Sequence, residues 1–250
     1  MFNAVEGNST FYHTPTPDIV KKWGEQTPKG FKFCFKFPQV ITHHKQLFGV
    51  KEEVLSFVKL FEPIREKTGP FMIQLPDSFS AADIHKLEAI LSILPKAFSY
   101  SVEVRHPDFF DHGKHERNFT ALLKSYDIDR VIFDTRKLHS MKAIDSSIAE
   151  ARKKKPKVPV RFDTTSSRPI LRYVGSNGIL TNEPYLKEWA IIVAEWIGEG
   201  LHPYVFIHAP NIVSQPKLCR HFHKLLSKLI DLPALPEWPV NKQDKQLGLF

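Results

Sequence analysis

Residues 31–37 read FKFCFKF, an alternation of phenylalanine with lysine and cysteine. Successive side chains of a β-strand point to opposite faces, so the four phenylalanines share one face and Lys32, Cys34 and Lys36 share the other. The aromatic face needs a covering layer, which in an α/β chain is a layer of helices. The stretch therefore predicts a buried strand whose Lys36 lies on the face turned away from the helices.

Further β-rich segments lie on both sides of this strand, and helical segments separate them. The other strand candidates are FNAVEG (2–7), PFMIQL (70–75), YSVEVR (100–105), RVIFD (130–134), ILRYVG (170–175) and PYVFIH (203–208). The helix candidates fall at 17–26, 50–67, 81–94, 115–126, 144–154, 183–199 and 215–230. Alternation of this kind is typical of parallel β-α units.

A polar residue stands near the end of each candidate strand, and these residues recur at intervals of 29 to 38 positions. They are Glu6, Lys36, Gln74, Glu103, Asp134, Arg172 and His208. A (β/α)8 barrel uses roughly 31 residues per unit, so the spacing predicts a TIM-like (β/α)8-type barrel over residues 1–230. An open dinucleotide-binding sheet is less favoured, because only Gly7 follows the first strand where that fold has a glycine-rich turn.

Several phrases of the sequence are similar to those of a known family. VEGNSTFY, FKFCFKFP followed by ITH, GPFMIQLP, YSVEVRHPDFF, RVIFD and YVFIHAPN resemble the YecE-like proteins, the domain of unknown function 72. The resemblance implies a TIM-like barrel and a bacterial, cytoplasmic protein, and it implies no reaction. Members of the family usually have one more β-α unit before the phrase that matches FNAVEG. We therefore expect this chain to lack the first unit of the barrel.

The carboxyl ends of parallel barrel strands meet at one opening, which is where barrel enzymes carry their catalytic residues. We expect acid-base chemistry from Glu6, Glu103 and His208, because a histidine titrates near neutral pH. The expected substrate-binding residues are Lys36, Gln74, Arg105, Asp134 and Arg172. The alternative is that these charges only neutralise one another above the core. The loop histidines His43, His44 and His106 follow two of the strands and can approach the same opening.

The charges of this set favour an anionic ligand over a metal ion. Glu6, Glu103, Asp134 and His208 are residue types that bind divalent cations. However, Lys36, Arg105 and Arg172 share the same region and disfavour a metal, so we predict none. Arginine forks instead suit phosphate or carboxylate, which points to a small phosphorylated substrate or to nucleic acid. No cofactor can be assigned from the sequence.

Composition narrows the possible classes of protein. The net charge is +8, and much of the excess lies in the run at 152–157, RKKKPK, which is most simply a solvated surface segment. Cys34 and Cys219 are too few for a disulfide framework. No apolar run approaches the about 18 residues of a membrane span, and no signal peptide is recognisable. Gly-x-Ser-x-Gly, HExxH and Walker motifs are absent from the sequence. We expect a cytoplasmic protein without a membrane partner.

The last part of the chain, residues 231–250, is a proline-rich tail ending in QLGLF. This pentapeptide resembles the motif by which bacterial proteins bind the DNA sliding clamp, with Gln246, Leu247, Leu249 and Phe250 as the contacting residues. The alternative is an apolar plug that packs back on the barrel. Two functions therefore stay open: an enzyme that acts on an anionic substrate at the barrel opening, and a non-catalytic adaptor recruited to the clamp by its tail.

Overall fold

A computed structural model describes residues 2–142 and 146–237 of the chain. The strands in these ranges are β1 (Ala4–Gly7), β2 (Lys32–Phe35), β3 (Phe71–Gln74), β4 (Tyr100–Glu103), β5 (Asp129–Arg130), β6 (Ile132–Asp134), β7 (Ile170–Val174) and β8 (Tyr204–His208). The helices are α1 (Ser9–Tyr12), α2 (Pro17–Gln26), α3 (Lys51–Lys59), α4 (Ile84–Leu91), α5 (Lys114–Ser125), α6 (Arg136–Ser140), α7 (Ser146–Lys154), α8 (Ile179–Gly198) and α9 (Gln215–Leu226). Single 3-10 or π turns cover Val40–His44, Glu62–Lys67, Ala81–Asp83, Pro107–Phe110 and Ile212–Ser214. Strands and helices alternate, as predicted.

Every strand pair in the described part of the chain is parallel, and neighbouring strands follow chain order. The ladders form three sheets, with the orders β1-β2, β3-β4-β5 and β6-β7-β8. Isolated bridges from Phe33 to Thr68 and from Lys36 to Met72 join the first sheet to the second. The fold is thus α/β with parallel sheets.

The predicted TIM-like barrel, which we expect to lack its first β-α unit, is not confirmed by this hydrogen-bonding pattern. No ladder joins β1 to β8 among the described residues, and the strand predicted at 130–134 is divided at Val131 into β5 and β6. The backbone remains continuous through this break, because Val131 N still donates to Val102 O at 2.9 Å. The ladders of the described ranges therefore stop short of a closed barrel.

One face of the strands carries an apolar layer to which the separate sheets all contribute. Cys34, Met72, Val131, Ile170 and Phe206 form one buried cluster, and Ala4 and Tyr204 pack against it. Side chains on one face of a strand recur every second residue. Two positions beyond this layer, the same face presents Glu6, Lys36, Gln74, Phe133, Arg172 and His208. A polar layer therefore lies above an apolar one at the carboxyl ends of the strands.

The opposite face packs under helices, as the alternation in residues 31–37 predicts. Phe35 lies 4.3 Å from Phe61 between ring centroids, and Phe37 lies 5.1 Å from Phe57 on α3. These rings belong to a cluster of fully buried side chains that also includes Phe71. Burying such aromatic side chains stabilises the fold by about 1.5–3 kcal/mol each, and this layer fixes which face Lys36 occupies.

The helices differ from the predicted segments mainly at their ends. The helix expected at 50–67 ends at Lys59, and a separate 3-10 turn containing Pro63 follows it, because proline lacks the amide hydrogen that continues a helix. α8 begins at Ile179, four residues before the predicted start, and it includes Pro184. Within the described ranges, no helix combines the length and apolar character needed to cross a bilayer.

Candidate functional site

The structure brings together seven of the predicted site residues at the carboxyl ends of the strands. They are Glu6, Lys36, Gln74, Glu103, Arg105, Arg172 and His208, which lie in β1, β2, β3, β4, β7 and β8 or follow these strands within two residues. Five of them are fully buried or nearly so. Their side chains form one connected set of hydrogen bonds and ion pairs, which we call the strand-end cluster.

Arg172 is the centre of the strand-end cluster. Its Nε and Nη2 atoms donate to Oε2 and Oε1 of Glu6 at 2.9 and 2.8 Å, and Nη1 donates to Oε2 of Glu103. The ring of Phe133 lies 5.0 Å from the guanidinium carbon. Only 1% of the Arg172 side chain is exposed. A buried charge held by two carboxylates in this way is fixed in place, so Arg172 organises the site.

Glu6 also holds Lys36 and His208. Lys36 Nζ lies 3.1 Å from Glu6 Oε1 and donates to Gln74 Oε1 at 3.1 Å. His208 Nε2 lies 3.1 Å from Glu6 Oε2. Since a carboxylate only accepts hydrogen bonds, the neutral imidazole donates through Nε2, which leaves Nδ1 as the basic nitrogen. The side-chain contact between His208 and Glu6 also links β8 to β1 across the gap between the sheets.

Arg105 is the most accessible arginine of the cluster. Its Nε and Nη2 atoms both donate to Glu103 Oε1, at 3.0 and 2.8 Å. Its side chain is 18% exposed, and Nη1 makes no hydrogen bond to any of the described residues. Arg105 therefore keeps a guanidinium nitrogen that can donate to a ligand, whereas all three guanidinium nitrogens of Arg172 donate to glutamates.

The pKa values follow from burial and from the charges inside the cluster. Burial alone would raise the pKa of Glu6 and of Glu103, but the charge of Arg172, assisted by Lys36, outweighs it. The pKa of Glu6 therefore lies well below its ordinary value, and that of Glu103 falls to about 2. Burial lowers the pKa of Lys36 and of His208 despite the attraction of Glu6. At neutral pH the cluster thus combines two ionised carboxylates with a neutral His208.

Asp134 lies apart from this cluster, although the sequence predicts it there. Its Oδ1 accepts from Arg136 N at 2.9 Å, and its Oδ2 accepts from Arg136 Nη2 at 2.9 Å and from Trp189 Nε1 at 2.7 Å. The register explains the difference, because Phe133 pairs with Arg172 while Asp134 pairs with Tyr173 on the opposite face. The residue of this strand that faces the cluster is therefore Phe133.

Two further residues reach the cluster from the loops. Burial and the charge of Arg105 lower the pKa of His43 to about 4, and the ring of His43 lies edge-on against Phe11 at 5.0 Å. Lys155 interacts electrostatically with Arg172, Lys36 and the two glutamates of the cluster. The sequence predicts that His43 approaches the site from a loop, whereas the basic run around Lys155 predicts a solvated surface segment. The alternation of faces along a strand predicts where strand residues lie. It does not predict which part of a long loop lies near the ends of the strands.

The other predicted features can be placed briefly. His106 accepts from Asp108 N at 3.2 Å at the start of a 3-10 turn, so it caps that turn. In residues 2–142 and 146–237, no three His, Cys, Asp or Glu side chains gather as a metal ion would require. Gln246, Leu247, Leu249 and Phe250, the predicted contacts with the sliding clamp, lie outside the described residues.

Comparisons with known proteins agree with the resemblance in the motifs. The chain is 36% identical over 240 residues to the UPF0759 protein YecE of Escherichia coli strain K12, and the alignment covers 94% of this chain and 88% of that protein. The crystal structure of a DUF72 family protein from Enterococcus faecalis V583 is similar with a TM-score of 0.70 at 17% identity, covering 92% of this chain and 90% of that one. A DUF72 family protein from Thermotoga maritima MSB8 gives a TM-score of 0.63 at 22% identity, covering 89% and 85%.

At such low sequence identity, the similarity of these two structures to this chain shows a shared fold and nothing about function. The sequence profile of the family described as "Protein of unknown function DUF72" matches residues 1–241. The match spans nearly the whole sequence, including all the strands that build the strand-end cluster. The chain therefore belongs to the DUF72 family.

Proposed function

We propose that this protein is an enzyme that binds a small anionic molecule over the strand-end cluster and moves a proton on it. In this proposal the strands form a TIM-like barrel, and the cluster lies at its catalytic face. The proposal rests on two polar side chains at the surface of the cluster, each of which has a nitrogen atom that makes no hydrogen bond to the described residues. Arg105 and His208 have side chains 18% and 17% exposed, whereas the residues beneath them are engaged with one another.

The charge of the cluster favours an anion. Lys36, Arg105 and Arg172 face two ionised carboxylates, those of Glu6 and Glu103, which leaves an excess of positive charge. The ion pairs beneath fix Arg105 through Glu103, so its free Nη1 is preorganised for a phosphate or carboxylate oxygen. The cation excess and the free donor thus support the same class of ligand.

His208 supplies the acid-base group. Its Nε2 is oriented by Glu6, and Nδ1 is left to accept or return a proton. Burial lowers the pKa of His208 below its ordinary value of 6.5, so the imidazole is neutral and available as a base at physiological pH. In the proposed reaction Glu6 and Glu103 orient His208, Arg105 and Arg172, and they stay ionised throughout.

Calorimetric titration with inorganic phosphate and pyrophosphate tests the binding step. Wild-type protein is expected to bind one anion per chain, and Arg105→Met is expected to weaken binding by about tenfold or more, because a charge-assisted hydrogen bond contributes about 1.5–3 kcal/mol. Arg117→Met is the matched control, since Arg117 lies on α5 and donates to His112 O away from the cluster. Equal affinity of the two variants would contradict the proposal. Preferential binding of a single-stranded oligonucleotide would instead identify nucleic acid as the ligand.

The sequence of the tail favours a second candidate function, recruitment to the DNA sliding clamp. QLGLF at 246–250 follows a proline-rich segment and has the pattern of the clamp-binding motif. Peptides of this kind bind through a few apolar anchors. A synthetic peptide covering 241–250 is expected to bind a bacterial sliding clamp with an affinity on the order of micromolar, and Leu249→Ala with Phe250→Ala is expected to abolish binding. A melting temperature several degrees lower in the doubly substituted full chain, with no clamp binding by the intact peptide, would show a packed plug instead.

A further inference from the structure

Lys155 follows α7 directly, and its backbone is held near the carboxyl end of β6. Its backbone N donates to Ala151 O at 3.0 Å, and its carbonyl oxygen is hydrogen-bonded to His139 Nε2 at 3.2 Å. The next carbonyl, that of Pro156, accepts from Thr135 Oγ1 at 3.0 Å. Thr135 comes directly after β6, so these bonds tie the backbone of Lys155 to the carboxyl end of that strand.

The side-chain amine of Lys155 has no partner of its own. In the part of the chain that the structure describes, Nζ makes no hydrogen bond and no ion pair. Lys36, by contrast, is bound by Glu6, and Arg105 and Arg172 are bound by Glu103. Lys155 is half-buried. It is therefore the amine near the cluster that is left available to a ligand.

Lys155 interacts electrostatically with groups from several strands. They are Arg172, Lys36, Glu6, Glu103 and His208. Burial lowers the pKa of Lys155 to about 8, and the charges of Arg172 and Lys36 act in the same direction against the weaker attraction of the glutamates. At pH 7 about a tenth of an amine with this pKa is unprotonated, and the unprotonated amine is the nucleophilic form.

We propose that Lys155 is the nucleophilic amine of this site and forms an imine with an aldehyde or ketone that carries an anionic group. The proposal rests on the anion-binding function proposed above and specifies the substrate class. In this proposal Arg105 binds the anionic group, and Lys155 Nζ attacks the carbonyl carbon of the same molecule. Desolvation and neighbouring cations are the means by which proteins prepare a lysine for this chemistry.

The reaction needs no oxidant or reductant. The lone pair of Nζ attacks the carbonyl carbon, the C–N bond forms, and the carbonyl oxygen takes a proton as its π bond to carbon breaks. Nζ loses its two protons, the hydroxyl group takes one and leaves as water, and the lone pair of Nζ forms the second C–N bond as the C–O bond breaks. One amine and one carbonyl compound therefore give one imine and one water. His208 is the residue suited to exchange these protons, because its Nδ1 is free and its Nε2 is fixed by Glu6.

Reductive trapping on the full chain tests this proposal. The probe is pyridoxal 5′-phosphate, an anionic aldehyde, with sodium cyanoborohydride as the reductant and peptide mapping by mass spectrometry as the readout. At about pH 7.5, Lys155 is expected to be labelled at least about tenfold faster than Lys153 or Lys154, because each pKa unit above the pH lowers the fraction of free amine about tenfold. Inorganic phosphate is expected to slow this labelling by competing for Arg105.

Two variants and a second probe separate the possible outcomes. Lys155→Arg keeps the positive charge but forms no imine, so it is expected to lose the label and to retain phosphate binding. Lys153→Arg, at an exposed position of α7, is expected to be labelled at Lys155 like wild type. Labelling of Lys155 no faster than that of Lys153, both with pyridoxal 5′-phosphate and with neutral propionaldehyde, would overturn the proposal. Fast labelling of Lys155 by both probes alike would support the reactive amine and contradict the anion site.

Discussion

Arg172 and Glu6 are 166 positions apart in the chain and are joined by two parallel hydrogen bonds of 2.9 and 2.8 Å. The pair links β7 to β1, which no backbone ladder connects in the described ranges. The same guanidinium also binds Glu103 on β4. The ion pairs of Arg172 therefore position the groups of the candidate site and connect distant strands of the fold.

Removing Arg172 is expected to destabilise the protein strongly. Arg172→Met leaves the buried carboxylates of Glu6 and Glu103 without their main partner, and breaking a buried ion pair in this way costs about 3–5 kcal/mol. The free energy of unfolding measured in urea at neutral pH checks this. Arg65→Met is the control, because Arg65 pairs with Glu62 at an exposed surface position, where such pairs contribute about 1 kcal/mol or less. Similar losses in both variants would contradict the account.

Acidification is expected to weaken the fold through the glutamates of the cluster. The pKa of Glu103 is about 2 in the folded state against an ordinary 4.5, so its stabilisation is complete above about 4.5 and is lost as the pH falls towards 2. Unfolding free energies measured between pH 5 and 2 are expected to fall less steeply for Glu103→Gln than for wild type, by up to about 1.4 kcal/mol per pH unit. Parallel curves would show that Glu103 does not titrate as proposed.

Asp129 is expected to show the opposite dependence on pH. Burial raises its pKa well above 3.8, and its Oδ1 has no hydrogen-bond partner among the described residues, while Oδ2 accepts from Ile170 N at 2.6 Å. A raised folded-state pKa means that stability is complete at low pH and is lost as the pH rises. Asp129→Asn cannot ionise, so its stability relative to wild type is expected to be greater at pH 8 than at pH 4. A difference that stays constant between these pH values would show that Asp129 is ionised in the fold.

Asp134 provides a test of which residues belong to the site. Its hydrogen bonds to Arg136 and Trp189 are buried, so Asp134→Asn is expected to cost about 1–3 kcal/mol of unfolding free energy. Because Asp134 lies outside the strand-end cluster, phosphate affinity is expected to stay within about twofold of wild type, a change of less than 1 kcal/mol. Calorimetry on the folded variant checks this. A large loss of affinity would place Asp134 in the site after all.

The strands and the order in which they pair could largely be predicted from the sequence. The alternation in residues 31–37 correctly places Lys36 opposite the helices, because a period of two leaves only one assignment of faces. The division at Val131 could not be predicted, since it depends on how β4 and β7 pair with this segment. Whether the three sheets form a barrel likewise depends on contacts between distant strands, about which local patterns carry no information.

The same distinction applies to the site. Glu6, Glu103 and Arg172 were predicted from their positions near strand ends, and the structure joins them. Asp134 was predicted by the same rule, but the residue that faces the cluster is Phe133, an apolar neighbour that no search for polar residues would select. Lys155 lies in a basic run whose composition is typical of an exposed surface segment. Only the tertiary hydrogen bonds of the backbone around Lys155 bring it near the cluster.

The proposed function depends most directly on whether Arg105 binds an anion over the strand-end cluster. The most direct measurement is a crystal structure of the full chain soaked in inorganic phosphate at neutral pH. We expect a phosphate that accepts a hydrogen bond from Arg105 Nη1, with the ion pairs of Arg172 beneath it unchanged. An empty cluster in crystals that bind phosphate elsewhere, with the Arg105 side chain turned into solvent, would contradict the proposal.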